Sequence, residues 1–398
     1  MDDHGRQRIL LNALNIHSGG GLQKVSCFLQ ELSQCDEALG RYLVITCDGS
    51  PINQLCEAKR LRQLSIGCGN LRRLVFEMSC RRIASGYSVC FNLGGLALIG
   101  SAGRCVNLSD CALSNLFYPE IDFWQDCSFF ERIRRKAVDT YRRHAIKRSD
   151  CWIFETDTVR KRAVELCGFP EARTFVVSPT ASTHVSRHAV DPALAEKMDL
   201  AMPRGFRFLC LNGAQPNKRI HRLPEIASAM VKRGFGDFCF VATMPDRHPY
   251  TQSVIAAFDG MGLGKNFCNI GPVAHGTVSS VLHVVGAVCT LSRLESFSNN
   301  FVEAWKMERP LVTTDADWAR DACGPAALYV DPERPVETAE ALGKLIHDTR
   351  LQSALVEKGR ERLSQFPSPQ EKTQLYLECI ERARELGPCP KEVRRKIR

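Results

Sequence analysis

Two carboxylates separated by seven residues, Glu295 and Glu303, stand out in the run RLESFSNNFVEAW at 293–305. Carboxylates at that spacing, one in a loop and one a turn into a helix, can accept hydrogen bonds from sugar or ribose hydroxyls. The run follows an apolar stretch, Val284–Leu291, and Ser298 is a good N-cap residue, which predicts a helix over Asn299–Met307. Bare N–H groups and the dipole at such a start favour an anion. The same spacing also arises by chance, with incidental acids on a capped surface helix. A second feature is the glycine-rich HSGGGLQ at 17–23, directly after the first apolar run. It matches neither G-x-x-x-x-G-K-[ST] nor G-x-G-x-x-G, so it reads as a tight strand-to-helix turn open to a ligand, or as a plain turn. The third is NGAQPNKR at 212–219, whose lysine is a mobile cation suited to a diphosphate, or a solvated side chain at a helix start.

The elements that must carry these residues recur in one order. A short aliphatic run, a Gly/Asn/Asp/Pro turn and a helical pattern follow one another at Arg8–Asn15 and Leu22–Leu32, at Phe206–Asn212 and Ile220–Arg233, and at Phe238–Ala242 and Tyr250–Phe258. The order repeats at Val284–Leu291 and Asn299–Met307, and at Pro310–Thr313 and Trp318–Ala322. Strands alternating with helices predict parallel sheets with helices on both faces. All three candidate loops then fall at carboxyl ends of strands, where doubly wound sheets bind ligands. A polar, Pro-containing stretch near Val177–Pro203 predicts a break. The expected division is an N-terminal domain over 1–185, a linker over 186–205, a second domain over 206–368, and a C-terminal helix with a basic tail over 369–398. The helix, Gln370–Leu386, is expected to pack back on the first domain, and the closing KEVRRKIR to be a solvated tail.

Composition narrows the class. The 398 residues carry 53 Lys+Arg against 44 Asp+Glu, and a 44% hydrophobic content is ample for a core, which excludes wholesale disorder. No apolar run reaches the ~18 residues of a membrane span, and no secretory leader opens the chain, so a cytoplasmic protein is expected. Nineteen cysteines, an odd number without a C-x-x-C pair, read as small core hydrophobes in a reducing compartment. No zinc finger and no aromatic-interleaved RNA signature is present, so no nucleic-acid partner is expected. Between Glu131 and Arg148 stand eight Lys/Arg against two acids, which suits an anionic membrane surface or a solvated helix face. Phe117, Tyr118, Phe123, Trp124, Phe129 and Phe130 lie just upstream, as an acceptor wall or as core.

Taken together, the stretch ESFSNNFVEAWKMERPLVTTDADWARDACGPAALYVDP, the opening SGGGLQKVSCFLQEL, Cys151–Val177 and the lysine loop resemble glycosyltransferase family 4. These are retaining enzymes of the GT-B fold, an α/β architecture of two Rossmann-like domains whose parallel sheets face a central cleft. The resemblance implies a retaining, metal-independent hexosyltransferase without a cofactor, moving a sugar from a nucleotide-diphosphate-sugar donor to a glycan or lipid-linked acceptor. Bacterial surface polysaccharide or lipopolysaccharide assembly is the setting it implies, at the inner face of the membrane. It gives Glu295 the contact to donor-sugar hydroxyls and Glu303 the ribose hydroxyls, with Phe297, Ser298 and Asn299 as helix-start backbone. Lys218 matches the diphosphate lysine, and Gly20 and Gly21 the first-domain glycine loop. Three departures stand out. The family's arginine after Gly213 is replaced by Ala214-Gln215, for which Arg219 is the expected substitute. Gly-Phe-Gly becomes Ser296-Phe297-Ser298, and no first-domain histidine is evident, so Asp110 is assigned its place as a catalytic residue. The competing readings are a nucleotide-sugar epimerase on the same scaffold and a non-enzymatic basic module for membrane or nucleic acid.

Overall fold

The structure, a computed structural model, describes residues 8–397 apart from 18, 36–39, 68, 102 and 182–183. Two units divide the chain, one comprising Met1–Ile121, Phe130–Ser182 and Pro367–Arg398, the other Asp122–Phe129 and Thr183–Phe366.

The first unit is built on seven parallel strands: β1 (Ile9–Asn12), β2 (Tyr42–Cys47), β3 (Gln63–Ile66), β4 (Val89–Asn92), β5 (Val106–Asp110), β6 (Cys151–Phe154) and β7 (Thr174–Val176). Their order is β3-β2-β1-β4-β5-β6-β7, so the winding reverses between β1 and β4. Successive strand side chains point to opposite faces, and β1 is apolar on both. Leu11 joins Val25, Phe28 and Leu29 of the helix Gly19–Leu32, whereas Leu10 packs with Cys80, Ala84 and Leu98 on the other side. That helix opens on the glycines themselves: Gly19, at φ +65°, is followed by Gly20 and Gly21 in the first turn, whereas the sequence predicted a start at Leu22. Ser18 lies outside the described residues.

The last helix, Pro369–Leu386, belongs to this unit. Ser368 and Glu371 form a capping box around Pro369 at the first helical position. Tyr376, Ile380 and Ala383 complete the core, with the Tyr376 ring 5.3 Å from that of Phe28. The closing basic stretch is not a solvated tail. It forms the short helix Lys391–Arg394, in which Arg394 pairs with the buried Asp150, and Asp150 also accepts from the Cys389 amide at 2.7 Å. A buried carboxylate needs such partners, and local sequence gave no sign of them.

The second unit holds six parallel strands: β8 (Phe206–Cys210), β9 (Phe238–Ala242), β10 (Phe267–Asn269), β11 (Ala287–Thr290), β12 (Leu311–Thr314) and β13 (Leu328–Val330). The order β10-β9-β8-β11-β12-β13 reverses between β8 and β11. The stretch expected as a linker over 186–205 is instead part of this unit. Asp191 caps a helix, Pro192–Ala201, and the amides of Ser186 and Asp191 donate to the hydroxyls of Ser279 and Ser280 at 3.1 and 3.0 Å. Pro192 sits at the first helical position, where its missing N–H costs nothing, so the proline opens a helix and does not break one.

All cysteines among the described residues are free thiols. Burial pushes those of Cys56, Cys151 and Cys239 up to about 12, as befits inert core side chains. Among the described residues no helix is long and apolar enough to cross a membrane.

Candidate functional site

In the second unit the loops after β8 and β11 flank the point where the winding reverses, the ligand-binding crevice of doubly wound sheets. The β8 loop runs through Asn212 and Gly213 into a 3-10 turn, Pro216–Lys218, and Arg219 follows at φ +54°. The β11 loop leads to Ser298, the extended N-cap of the helix Asn299–Lys306. One backbone hydrogen bond ties the loops together, from the Arg293 amide to the Asn217 carbonyl at 2.8 Å. Asn300 fastens the helix start by donating to the Leu211 carbonyl at 3.0 Å.

This frame sets Lys218 Nζ 3.0 Å from Glu295 Oε1, with both side chains largely buried. The pair is a charge contact rather than an aligned hydrogen bond, since Oε1 has no hydrogen-bond partner. In the same two loops Asn212 Nδ2, Ser292 Oγ and Arg293 Nε are buried and equally unpartnered. Buried polar groups in native proteins are nearly always satisfied, so these four beyond the carboxyl ends of β8 and β11 can each take a bond from a ligand or from water. Ser298 accepts no side-chain cap, and its hydroxyl leaves the first amides of the helix unbonded by it. Glu303 is buried, as are all residues of that helix from Asn300 to Trp305. The Phe297 ring is core, 5.5 Å from Phe301 and 5.4 Å from Phe366, so only its backbone is placed to serve a ligand. Trp305 anchors the helix over Gly359, where a Cβ would come within 2.7 Å of the indole. At Gly213 a Cβ would meet nothing within 4 Å.

Arg219 is held on every side. Its Nε donates to the Leu291 carbonyl at 2.9 Å, one terminal nitrogen to Glu333 at 3.2 Å and the other to Thr314 at 3.4 Å. Burial, and next the charge of Arg293, hold its pKa below the usual arginine range. Sequence reasoning missed two further groups. Arg293 Nη2 lies 2.9 Å from Asp126 Oδ2, and His221 shares Tyr250 Oη at 2.9 Å. The imidazole's other nitrogen faces Asp126 at 3.8 Å.

In the first unit Asp110 ends β5 almost wholly buried, 2.7 Å from Lys24 Nζ, which also reaches Glu155 at 3.2 Å. Burial opposes the Lys24 charge, but Asp110 and Glu155 outweigh it and hold the ammonium well above its ordinary pKa. Lys372 from the last helix is buried beside them; burial, and next the Lys24 charge, push it down to about 8. The unfolded chain therefore binds more protons than the folded one between about pH 8 and 10.5, and this lysine's contribution to stability rises with pH across that window. Lys372→Met is expected to add about 3 kcal/mol at pH 7, and the gain to shrink to nothing near pH 10.5. Urea unfolding of both proteins across that range measures it; a variant weaker than wild type at pH 7 would show that the ammonium is net stabilising.

Both units have the topology of the GT-B glycosyltransferases. The chain is similar to the Anabaena protein HepE, solved in complex with UDP and glucose, at TM-score 0.71 and 15% identity, covering 94% of this chain and 100% of that one. It is also similar to WaaG, a glycosyltransferase involved in lipopolysaccharide biosynthesis, at TM-score 0.68 and 13% identity, covering 94% and 99%. More narrowly, residues 205–348, which contain the loops after β8 and β11, match the family described as Glycosyl transferases group 1. Over 233 residues, 58% of this chain, it is 22% identical to the alpha-D-kanosaminyltransferase of Streptomyces kanamyceticus. The chain spans 60% of that relative's length.

Proposed function

We propose that the protein is a retaining glycosyltransferase that takes a sugar from a nucleotide-diphosphate-sugar donor and passes it to a glycan or lipid-linked acceptor in surface polysaccharide assembly. The observation that carries this reading is the Lys218–Glu295 contact beside an uncapped helix start, at the reversal point of the second sheet. Departure of a nucleoside diphosphate concentrates negative charge on its terminal phosphate. The Lys218 ammonium and the amides at Ser298 and Asn299 would stabilise that charge where it develops, so the reaction needs no metal or other cofactor. Glu295 accepts from the sugar hydroxyls and Glu303 from the ribose hydroxyls. For retention, the leaving phosphate oxygen takes the proton of the acceptor hydroxyl on the same face, and the new glycosidic bond forms as the old one breaks. Gly20 and Gly21 keep the first turn of their helix free of side chains, and Asp110 serves by fixing Lys24 rather than by touching substrate.

The test is release of nucleotide from UDP-, GDP-, dTDP- and ADP-sugars in the presence of a membrane extract. Turnover of one of them with the anomeric configuration kept is expected; release from none ends the proposal, and interconversion of the donor without acceptor would make the protein an epimerase.

The helix Phe129–Ile146 favours an anionic bilayer surface on the acceptor side, because Phe130, Ile133 and Tyr141 are exposed among its arginines. Co-sedimentation with vesicles containing phosphatidylglycerol should exceed that with neutral vesicles and fall with salt. Equal sedimentation with both would remove the membrane from this reading.

A further inference from the structure

The diphosphate reading so far uses one cation, Lys218, and Arg219 has each of its three guanidinium nitrogens bonded within the fold. Arg293 differs on each count. Its backbone amide is bonded to Asn217, next to Lys218, so guanidinium and ammonium ride on one pair of locked loops. Its Nε is buried without a partner, and the close charge it faces is Asp126, with Glu333 farther off at 3.9 Å. Asp126 comes from Asp122–Phe129, which the chain contributes to this unit from 167 residues away. Gln125 in the same segment can turn its amide oxygen onto the same guanidinium, with Nη1 at 2.8 Å. A carboxylate therefore sits on a cation beside the proposed phosphate lysine, among polar groups whose hydrogen bonds are unmet.

We propose that Arg293 is a second diphosphate-binding cation, and that Asp126 is a built-in competitor that the diphosphate must displace from it. The inference rests on the donor reading above and adds to it a residue pair and a mobile counter-ion. A diphosphate carries more charge than a carboxylate and can accept the two parallel bonds an arginine fork offers. The exchange of one anion for another leaves the guanidinium paired throughout. Donor affinity is then set below its intrinsic value by the cost of lifting Asp126 away. Binding would release the segment Asp122–Phe129.

The experiment measures affinity for UDP, GDP, dTDP and ADP, and for the matching nucleosides, by calorimetry. Asp126→Asn is expected to tighten the bound diphosphate about tenfold and to leave the nucleoside unchanged. Arg293→Gln should weaken the diphosphate about tenfold or more, Arg293→Lys should recover part of it, and in the Arg293→Gln background Asp126→Asn should no longer tighten. Hydrogen exchange of the 122–129 amides in wild type should quicken when the diphosphate saturates. If wild type binds a diphosphate but Asp126→Asn leaves its affinity unchanged or lowers it, this inference alone fails. If wild type binds none of the four, the donor reading fails and takes this one with it.

Discussion

Replacing Lys218 with glutamine is expected to lower kcat about a thousandfold while weakening nucleoside diphosphate binding only about tenfold. The larger effect falls on the rate because the leaving phosphate gains charge in the transition state, and a donor aimed at developing charge is worth about 10²–10³ in rate, roughly 3–4 kcal/mol. The geometry supports the assignment: the ammonium is held 3.0 Å from Glu295 on a loop locked to the helix-start loop, so it need not be reorganised during reaction. Steady-state kinetics with the donor identified in the screen, alongside calorimetry with its diphosphate, separate the two effects. Equal losses in rate and in binding would show that Lys218 serves binding alone.

Glu303→Ala should have the opposite profile. At a ligand concentration 100 times the wild-type Kd, binding adds ~2.7 kcal/mol to folding stability, and a hundredfold weaker variant would keep only ~0.4 kcal/mol. Loss of charge-assisted hydrogen bonds to two ribose hydroxyls is of that order. Glu303 is buried, so the unliganded melting temperature of Glu303→Gln, which keeps the volume, serves as the reference for folding. Glu295→Ala should leave the nucleotide-induced shift intact and lower the rate. A Glu303→Ala protein that is stabilised as strongly as wild type would remove this residue from the nucleotide.

How much of this the sequence disclosed depends on how local the chemistry is. The loop 293–305 and the lysine loop were readable because an apolar run, a cap residue and the charged groups follow one another within a dozen positions, and the strand order brings the two loops together. The helix at Asn299 starts where Ser298 predicted it. Arg293 lay in plain view but paired with nothing nearby, and its partner Asp126 stands 167 residues earlier in a stretch that reads as loop. Lys24, Asp110, Glu155 and Lys372 likewise come from four separate stretches of the chain, and no periodicity links them. Glycine is a poor helix former, so the sequence points to a start after the glycines, yet Gly19 takes a positive φ that others avoid and the next two simply follow it. The stretch 186–205 differs from the linker expectation for a related reason, since one proline can punctuate a loop or begin a helix.

The return of Pro367–Arg398 to the first unit carries a consequence for biosynthesis. Domains ordinarily fold as they leave the ribosome, N-terminal first. Here the nascent amino-terminal lobe must wait, its hydrophobic groove lacking Tyr376, Ile380 and Ala383, while the entire following lobe is translated. Ribosome-stalled chains ending near residue 366 should consequently be chaperone clients and sensitive to protease in their opening half, and synthesis and release of the remaining segment should cure both.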